Sequence, residues 1–167
     1  SGKSSLLYRL AGLKSPTQGW VRFRDMDYAT LGPDGRTALR RTRFGFVFQS
    51  PFLIPYLTGL ENVRAGGEGP AERWLEELGV GHCRNKFPWQ MSAGERQRVA
   101  VARAVVHGPA VVFADEPTAA LDRGSALRVM EGLRRATQGG TLFVVTHDET
   151  ILRGASRILR MEAGRLV

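Results

Sequence analysis

The chain has 167 residues, 43% of them hydrophobic and 24% charged, values that fit one globular domain and exclude wholesale disorder. No apolar run approaches the roughly 18 residues of a membrane span, and a single cysteine, Cys83, excludes a disulfide framework and a cysteine-only zinc site. The net charge of +8 admits nucleic acid or an anionic membrane surface as a partner. The basic residues are spread, however, with Arg40, Arg41 and Arg43 the densest cluster, so an arginine-rich solvated surface accounts for the charge better.

The chain opens Ser1-Gly2-Lys3-Ser4-Ser5, with no initiator methionine and no signal-peptide pattern, and reads as cut at its start. Leu6 to Leu13 reads as a short helix, closed by Gly12 and Ser15-Pro16. Residues 19–23 alternate apolar and polar, as a strand does, and residues 31–36 are turn-rich. Phe44 to Phe48 is a short apolar run that predicts a buried strand, followed by a loop between Pro51 and Pro55. Ala71, Trp74, Leu75 and Leu78 recur at i, i+3, i+4 and i+7, so a helix is expected there, begun by Pro70 and stopped by Gly79. Ala93 to Val106 reads as a second, buried helix. Ala110 to Ala114 reads as a buried strand, and Ala126, Val129, Met130 and Leu133 again carry helical spacing. Thr141 to Val145 predicts another buried strand, and 157–161 with 164–167 look like closing strands. Strands alternating with helices predict an α/β fold with a mostly parallel sheet.

Several polar groups stand where such a fold places chemistry. Gly2-Lys3-Ser4 matches the tail of a phosphate loop, in which backbone N–H groups at a helix start cradle phosphate, the lysine reaches the outer phosphates and the serine hydroxyl sits on Mg²⁺. Before a leucine-rich helix the same tripeptide also suits a plain surface turn. Asp115 and Glu116 end an apolar strand, the sheet edge where α/β proteins bind ligands. Asp115 suits a Mg²⁺ partner and Glu116 could polarise a water, although Asp-Glu-Pro also makes a helix-starting turn. His147 and Gln49 follow apolar strands in the same way, and each reads equally as a hydrogen-bonded edge residue. Ser92 and Glu95 form a capping-box pattern, while Ala93-Gly94 at a helix start could bare N–H groups to an anion.

Taken in order, these segments resemble the nucleotide-binding subunit of ABC transporters across essentially the whole chain. Ser1 to Ser5 (Ser1, Gly2, Lys3, Ser4, Ser5) look like the end of Walker A. Gln49 matches the Q-loop, and Met91-Ser92-Ala93-Gly94-Glu95 the family signature. Asp115 and Glu116 match Walker B and its catalytic glutamate, Ala119 to Asp122 the D-loop, and His147 the H-loop. Residues 44–50 and 57–63 are similar to the subgroup of lipoprotein-releasing, macrolide-export and cell-division ATPases. Ala93 departs from a signature glycine, and the stretch from Val63 to Met91 is short for the subgroup, so the helical arm looks trimmed.

The resemblance implies a P-loop NTPase (RecA-like) core with a mostly parallel sheet and a small helical subdomain, its N-terminal strands missing. It implies three segments: 1–48 as the first part of the core, 49–92 as the Q-loop and helical subdomain, and 93–167 as the rest of the core. It further implies ATP and Mg²⁺ as ligands, with Ser4, Gln49 and Asp115 toward the metal, and Glu116, His147 and Gln49 as catalytic residues. Asp122 and the signature would act across a homodimer or paired ATPase, and membrane permease subunits would be the partners, at the cytoplasmic face of the inner membrane. Nucleic acid is not expected. Cut inside its phosphate loop, the chain as written is expected to bind ATP weakly and to be weak or inactive as an ATPase. Two other functions fit the sequence: a non-transport ABC ATPase acting on nucleic acid or ribosomes, and an inactive truncated paralogue.

Overall fold

The computed structural model describes residues 2–119 and 121–167. In chain order these form α1 (Lys3–Leu10), β1 (Arg22–Phe23), β2 (Met26–Asp27), α2 (Gly32–Arg43) and β3 (Phe44–Val47). Then come α3 (Gly59–Arg64), α4 (Ala71–Glu77), α5 (Ala93–Val105), β4 (Val111–Asp115), α6 (Arg123–Ala136), β5 (Thr141–Val145), β6 (Met161–Glu162) and β7 (Arg165–Leu166).

The expected parallel sheet is present. It has three strands in the order β3-β4-β5, with Phe46 opposite Phe113 and Phe113 opposite Phe143. Successive side chains of a strand point to opposite faces, and this alternation divides the interior in two. Val47, Val112 and Ala114 join a core with α3, α4, α5 and α6, with Leu75, Val99, Val101 and Leu133 fully buried. Phe44, Phe113 and Val145 join a second core with Leu7 and Ala11 of α1 and Leu39 of α2. The aromatic rings on that face interlock, with Phe44 edge-on to Phe113 at 5.2 Å between centroids. Asp115 falls in the same register as Phe113, so the carboxylate that ends β4 faces α1.

Three expectations are corrected. The turn-rich residues 31–36 open a helix, α2, because Pro33 fixes φ in the first turn, Asp34 suits its positive end and Arg40, Arg41 and Arg43 suit its negative end. The closing strand expected at 157–161 is paired only over Met161–Glu162. The first helix begins at Lys3 rather than Leu6, since Gly2 takes the left-handed conformation (φ 83°) just ahead of it and its carbonyl accepts from Leu6 N at 3.0 Å. Helix α3 carries a capping box of Thr58 and Glu61 that the hydrophobic periodicity does not reveal. No helix among the described residues is long and apolar enough to cross a membrane.

Candidate active site

The C-terminal ends of β3, β4 and β5 open on one side of the sheet, and α1 starts there. Lys3, Ser4, Gln49, Asp115, Glu116, Ala119, Val145 and His147 line a cavity of about 370 Å³ at this edge. Gly2 forms the N-cap of α1 without a side-chain cap, so among the described residues no capping side chain satisfies the first N–H groups of this helix. An uncapped helix start with a lysine in its first turn is an anion-binding arrangement.

Two residues one helical turn apart fix the α1 side of the site. Ser4 Oγ donates to Asp115 Oδ1 at 3.0 Å, and Tyr8 OH donates to Asp115 Oδ2 at 3.1 Å. The i, i+4 spacing puts both hydroxyls on one face of α1, so both oxygens of the buried carboxylate are engaged. Burial, and then the Asp115 carboxylate, push the Tyr8 hydroxyl above its usual range and keep it a donor. Lys3 Nζ lies 3.4 Å from both Thr146 O and His147 Nδ1.

Glu116 is the most constrained residue here. Its φ is +48°, left-handed backbone that costs a non-glycine residue about 1–2 kcal/mol. The turn is held by Glu116 N donating to Val145 O at 2.8 Å. One carboxylate oxygen, Oε2, accepts from Thr146 Oγ1 at 3.2 Å. The other, Oε1, is buried with no hydrogen-bond partner among the described residues, and His147 Nε2 stands 3.7 Å away from it.

The sequence-predicted residues divide into two groups. Lys3, Ser4, Gln49, Asp115, Glu116 and His147 come together around one cavity, with Gly2 capping the helix beside it and Ser5 in that helix's first turn. Met91, Ser92, Ala93, Gly94 and Glu95 do not line it. They start α5, where Ser92 Oγ accepts from Glu95 N at 3.1 Å and Glu95 Oε2 from Ser92 N at 2.6 Å. Asp122 caps α6, accepting from Ser125 N at 3.0 Å, which with the Ser125 hydroxyl holds its carboxyl below the usual range. Leu121, just ahead of α6, lies against the start of α5, for a Cβ at Gly94 would sit 3.4 Å from its side chain. Ser1 and the D-loop's Ala120 lie outside the described residues. The sequence reading missed Tyr8 as an Asp115 partner, and Thr146 as the group that orients Glu116. The spacing of Tyr8 from Ser4 is the one signal that could have found the former.

Buried Gln97 ties the two regions together. Its amide donates to Phe48 O at 2.9 Å, just ahead of Gln49, and to Pro117 O at 3.4 Å, just after Glu116.

Comparison with known proteins agrees with this arrangement. A family model described as ABC transporter matches residues 1–119. The macrolide export ATP-binding/permease protein MacB of Nitrosomonas europaea is 42% identical over 178 residues, covering 100% of this chain and 27% of that protein. The lipoprotein-releasing system ATP-binding protein LolD of Pseudomonas syringae pv. tomato is 41% identical over 179 residues, covering 100% of this chain and 79% of that protein. The chain thus spans about a quarter of the MacB relatives it matches and most of LolD. Among solved structures, a dimeric ATP-binding cassette in a post-hydrolysis state bound to ADP and Pi superposes with a TM-score of 0.80. It is 37% identical, and the match covers 90% of this chain and 72% of that one. A dimeric bacterial ABC transporter cassette superposes at 0.83, with 36% identity, 91% of this chain and 72% of that one. By fold, site order and sequence, the chain belongs to the ABC transporter family.

Proposed function

We propose that this chain is an ATP-binding and ATP-hydrolysing part of an ABC-type membrane transporter, working as a pair of cassettes with permease partners at the cytoplasmic face of the inner membrane. The observation that carries the hydrolytic part is Glu116. Glu116 sits on a strained turn, has one carboxylate oxygen with no hydrogen-bond partner among the described residues, and lines a cavity that also holds a lysine, a serine–aspartate pair and a histidine. Strain of this kind persists where the surrounding structure over-determines it, and it gathers at functional sites.

The uncapped start of α1 and Lys3 receive the phosphates. The Glu116 carboxylate accepts a hydrogen bond, and then a proton, from the attacking water. Thr146 holds the other oxygen of Glu116, and His147 reaches the outermost phosphate. Ser4, Asp115 and Gln49 offer the hard oxygen donors that suit Mg²⁺, so these residues would hold it. When bound, the ion supplies charge neutralisation on the phosphates. Gln49, at the end of β3, begins the stretch 49–92 whose helical arm we assign to the permease-facing side. The names of the MacB and LolD relatives, an export permease and a lipoprotein-releasing system, support a transport role.

The test is Glu116→Gln in the full protein. Phosphate release is expected to fall about a hundredfold or more, with ATP binding retained, whereas Lys3→Ala loses ATP binding. Turnover near wild type in Glu116→Gln would refute the role given to Glu116.

A further inference from the structure

A second group of metal-ligating side chains lies outside the cavity. His82 and Cys83 sit in a 3-10 turn, Gly81–Cys83, and Glu95 sits in the first turn of α5. An imidazole nitrogen, the thiol sulfur and a carboxylate oxygen, one from each, all lie within 4.8 Å of one another. His82 Nε2 already meets Glu95 Oε1.

The turn that carries them is firmly built. Cys83 N donates to Val80 O at 2.9 Å, and Lys86 N donates to Cys83 O at 3.0 Å. The N-terminus of α3 closes over it, with Gly59 N donating to Lys86 O at 2.8 Å and Leu60 N to Arg84 O at 3.0 Å. Gly59 is required for this approach, since a Cβ there would stand 2.3 Å from Cys83 O. Cys83 is fully buried, the Glu95 side chain is 16% exposed and that of His82 is 55% exposed. The cluster therefore has a buried sulfur floor, a half-buried carboxylate wall and an imidazole open to solvent, which gives an ion a way in.

We propose that His82, Cys83 and Glu95 bind a divalent transition-metal ion of the zinc type, with water completing a four-coordinate shell. The donor set decides the class of ion. Thiolate and imidazole favour Zn²⁺ or Co²⁺, whereas Mg²⁺ and Ca²⁺ take oxygen ligands. Two cations oppose binding. Lys86 Nζ stands 3.8 Å from Glu95 Oε1, and the Arg98 charge acts on the thiol. Lys86 is partly exposed and its flexible stem can turn the ammonium to water. Burial also pushes the Cys83 thiol up to about 11, so binding must release its proton. Since Glu95 is half of the capping box at Ser92, an ion held here would link the 81–86 loop to the signature turn.

The experiment is a Co²⁺ titration of the full protein in Mg²⁺ buffer. One equivalent is expected to produce a thiolate-to-cobalt charge-transfer band and the strong visible bands of a four-coordinate ion, both bleached by Zn²⁺. Cys83 is the sequence's sole cysteine, so a thiolate band within this sequence has one origin. Cys83→Ser should abolish the band. Cys83 is buried in the core, so exposed His82→Ala provides the second arm: a metal-free melting temperature lowered by no more than a few degrees, for the loss of one exposed pair with Glu95, with Co²⁺ affinity reduced about tenfold or more. Absence of the charge-transfer band in the wild type, or unchanged affinity in His82→Ala, would overturn the site. The readout is independent of ATP hydrolysis.

Discussion

Thr146 shows how much of the site rests on residues that belong to none of the recognised motifs. Its hydroxyl donates to Glu116 Oε2 at 3.2 Å and accepts from Asp148 N at 2.9 Å, so one side chain fixes both the carboxylate and the turn after β5. Without it, Glu116 keeps its place in the backbone, because the bond from Glu116 N to Val145 O is untouched, but the carboxylate is free to rotate. Thr146→Val preserves shape and removes only the hydroxyl. A hydrogen bond to a charged group contributes about 1.5–3 kcal/mol, and on the proposed mechanism that bond acts on the orientation of the base. The expected result is therefore kcat lower by about tenfold, with KM for ATP little changed, in steady-state phosphate release. An unchanged kcat would mean that Thr146 serves the turn and not Glu116. Tyr8 makes the same point on the other side of the cavity, since it reaches Asp115 across 107 positions of sequence.

At the level of elements, α5 is the member that joins the two halves of the site. It packs against β3 so closely that a Cβ at Gly45 would sit 2.2 Å from Ala104 O, a backbone atom that cannot swing aside. Gln97, 2% exposed, projects from the same helix to the carbonyls of Phe48 and Pro117. Gln97→Leu keeps the volume and strands both carbonyls, so a loss of about 2–3 kcal/mol is expected in urea unfolding. A loss near zero would show that removing the buried Gln97 Oε1, which has no partner among the described residues, offsets the two lost bonds. The sequence made the sheet readable because β3, β4 and β5 are short apolar runs that end in polar residues, Gln49, Asp115-Glu116 and His147. Helix α2 was not readable, because Gly32-Pro33-Asp34-Gly35 carries turn chemistry and only Leu39 of the helix is buried, too little to write a period. The separation of Met91–Glu95 from the cavity was expected from the family resemblance and not from periodicity, which describes which face of a helix is apolar and not which sheet edge its end approaches.

Over the whole molecule, the charge of +8 resolves into individual contacts. Arg40 donates to Gly12 O, Arg96 to Met91 O, Arg103 to Pro51 O and Phe52 O, and Arg134 to Ile151 O. These guanidiniums pin loops to helices, work for which a planar set of donors is suited. On the proposed function, the two elements that would meet phosphate, the starts of α1 and α5, are separated. The start of α1 lines the cavity; the start of α5 does not, and its Ser92 and Ala93 are exposed. On the proposed function, the Met91–Glu95 start of α5 would complete the site of a second copy facing it. Glu116→Gln, loaded with ATP and Mg²⁺, should therefore double in mass by light scattering, since bound nucleotide persists when the base is removed. Adding Ser92→Arg places a bulky cation at the contact and costs about 1 kcal/mol of helix capping, which leaves the fold intact by circular dichroism. The double variant should stay monomeric with ATP still bound. If it dimerises like Glu116→Gln, the start of α5 is not the surface that meets the partner's nucleotide.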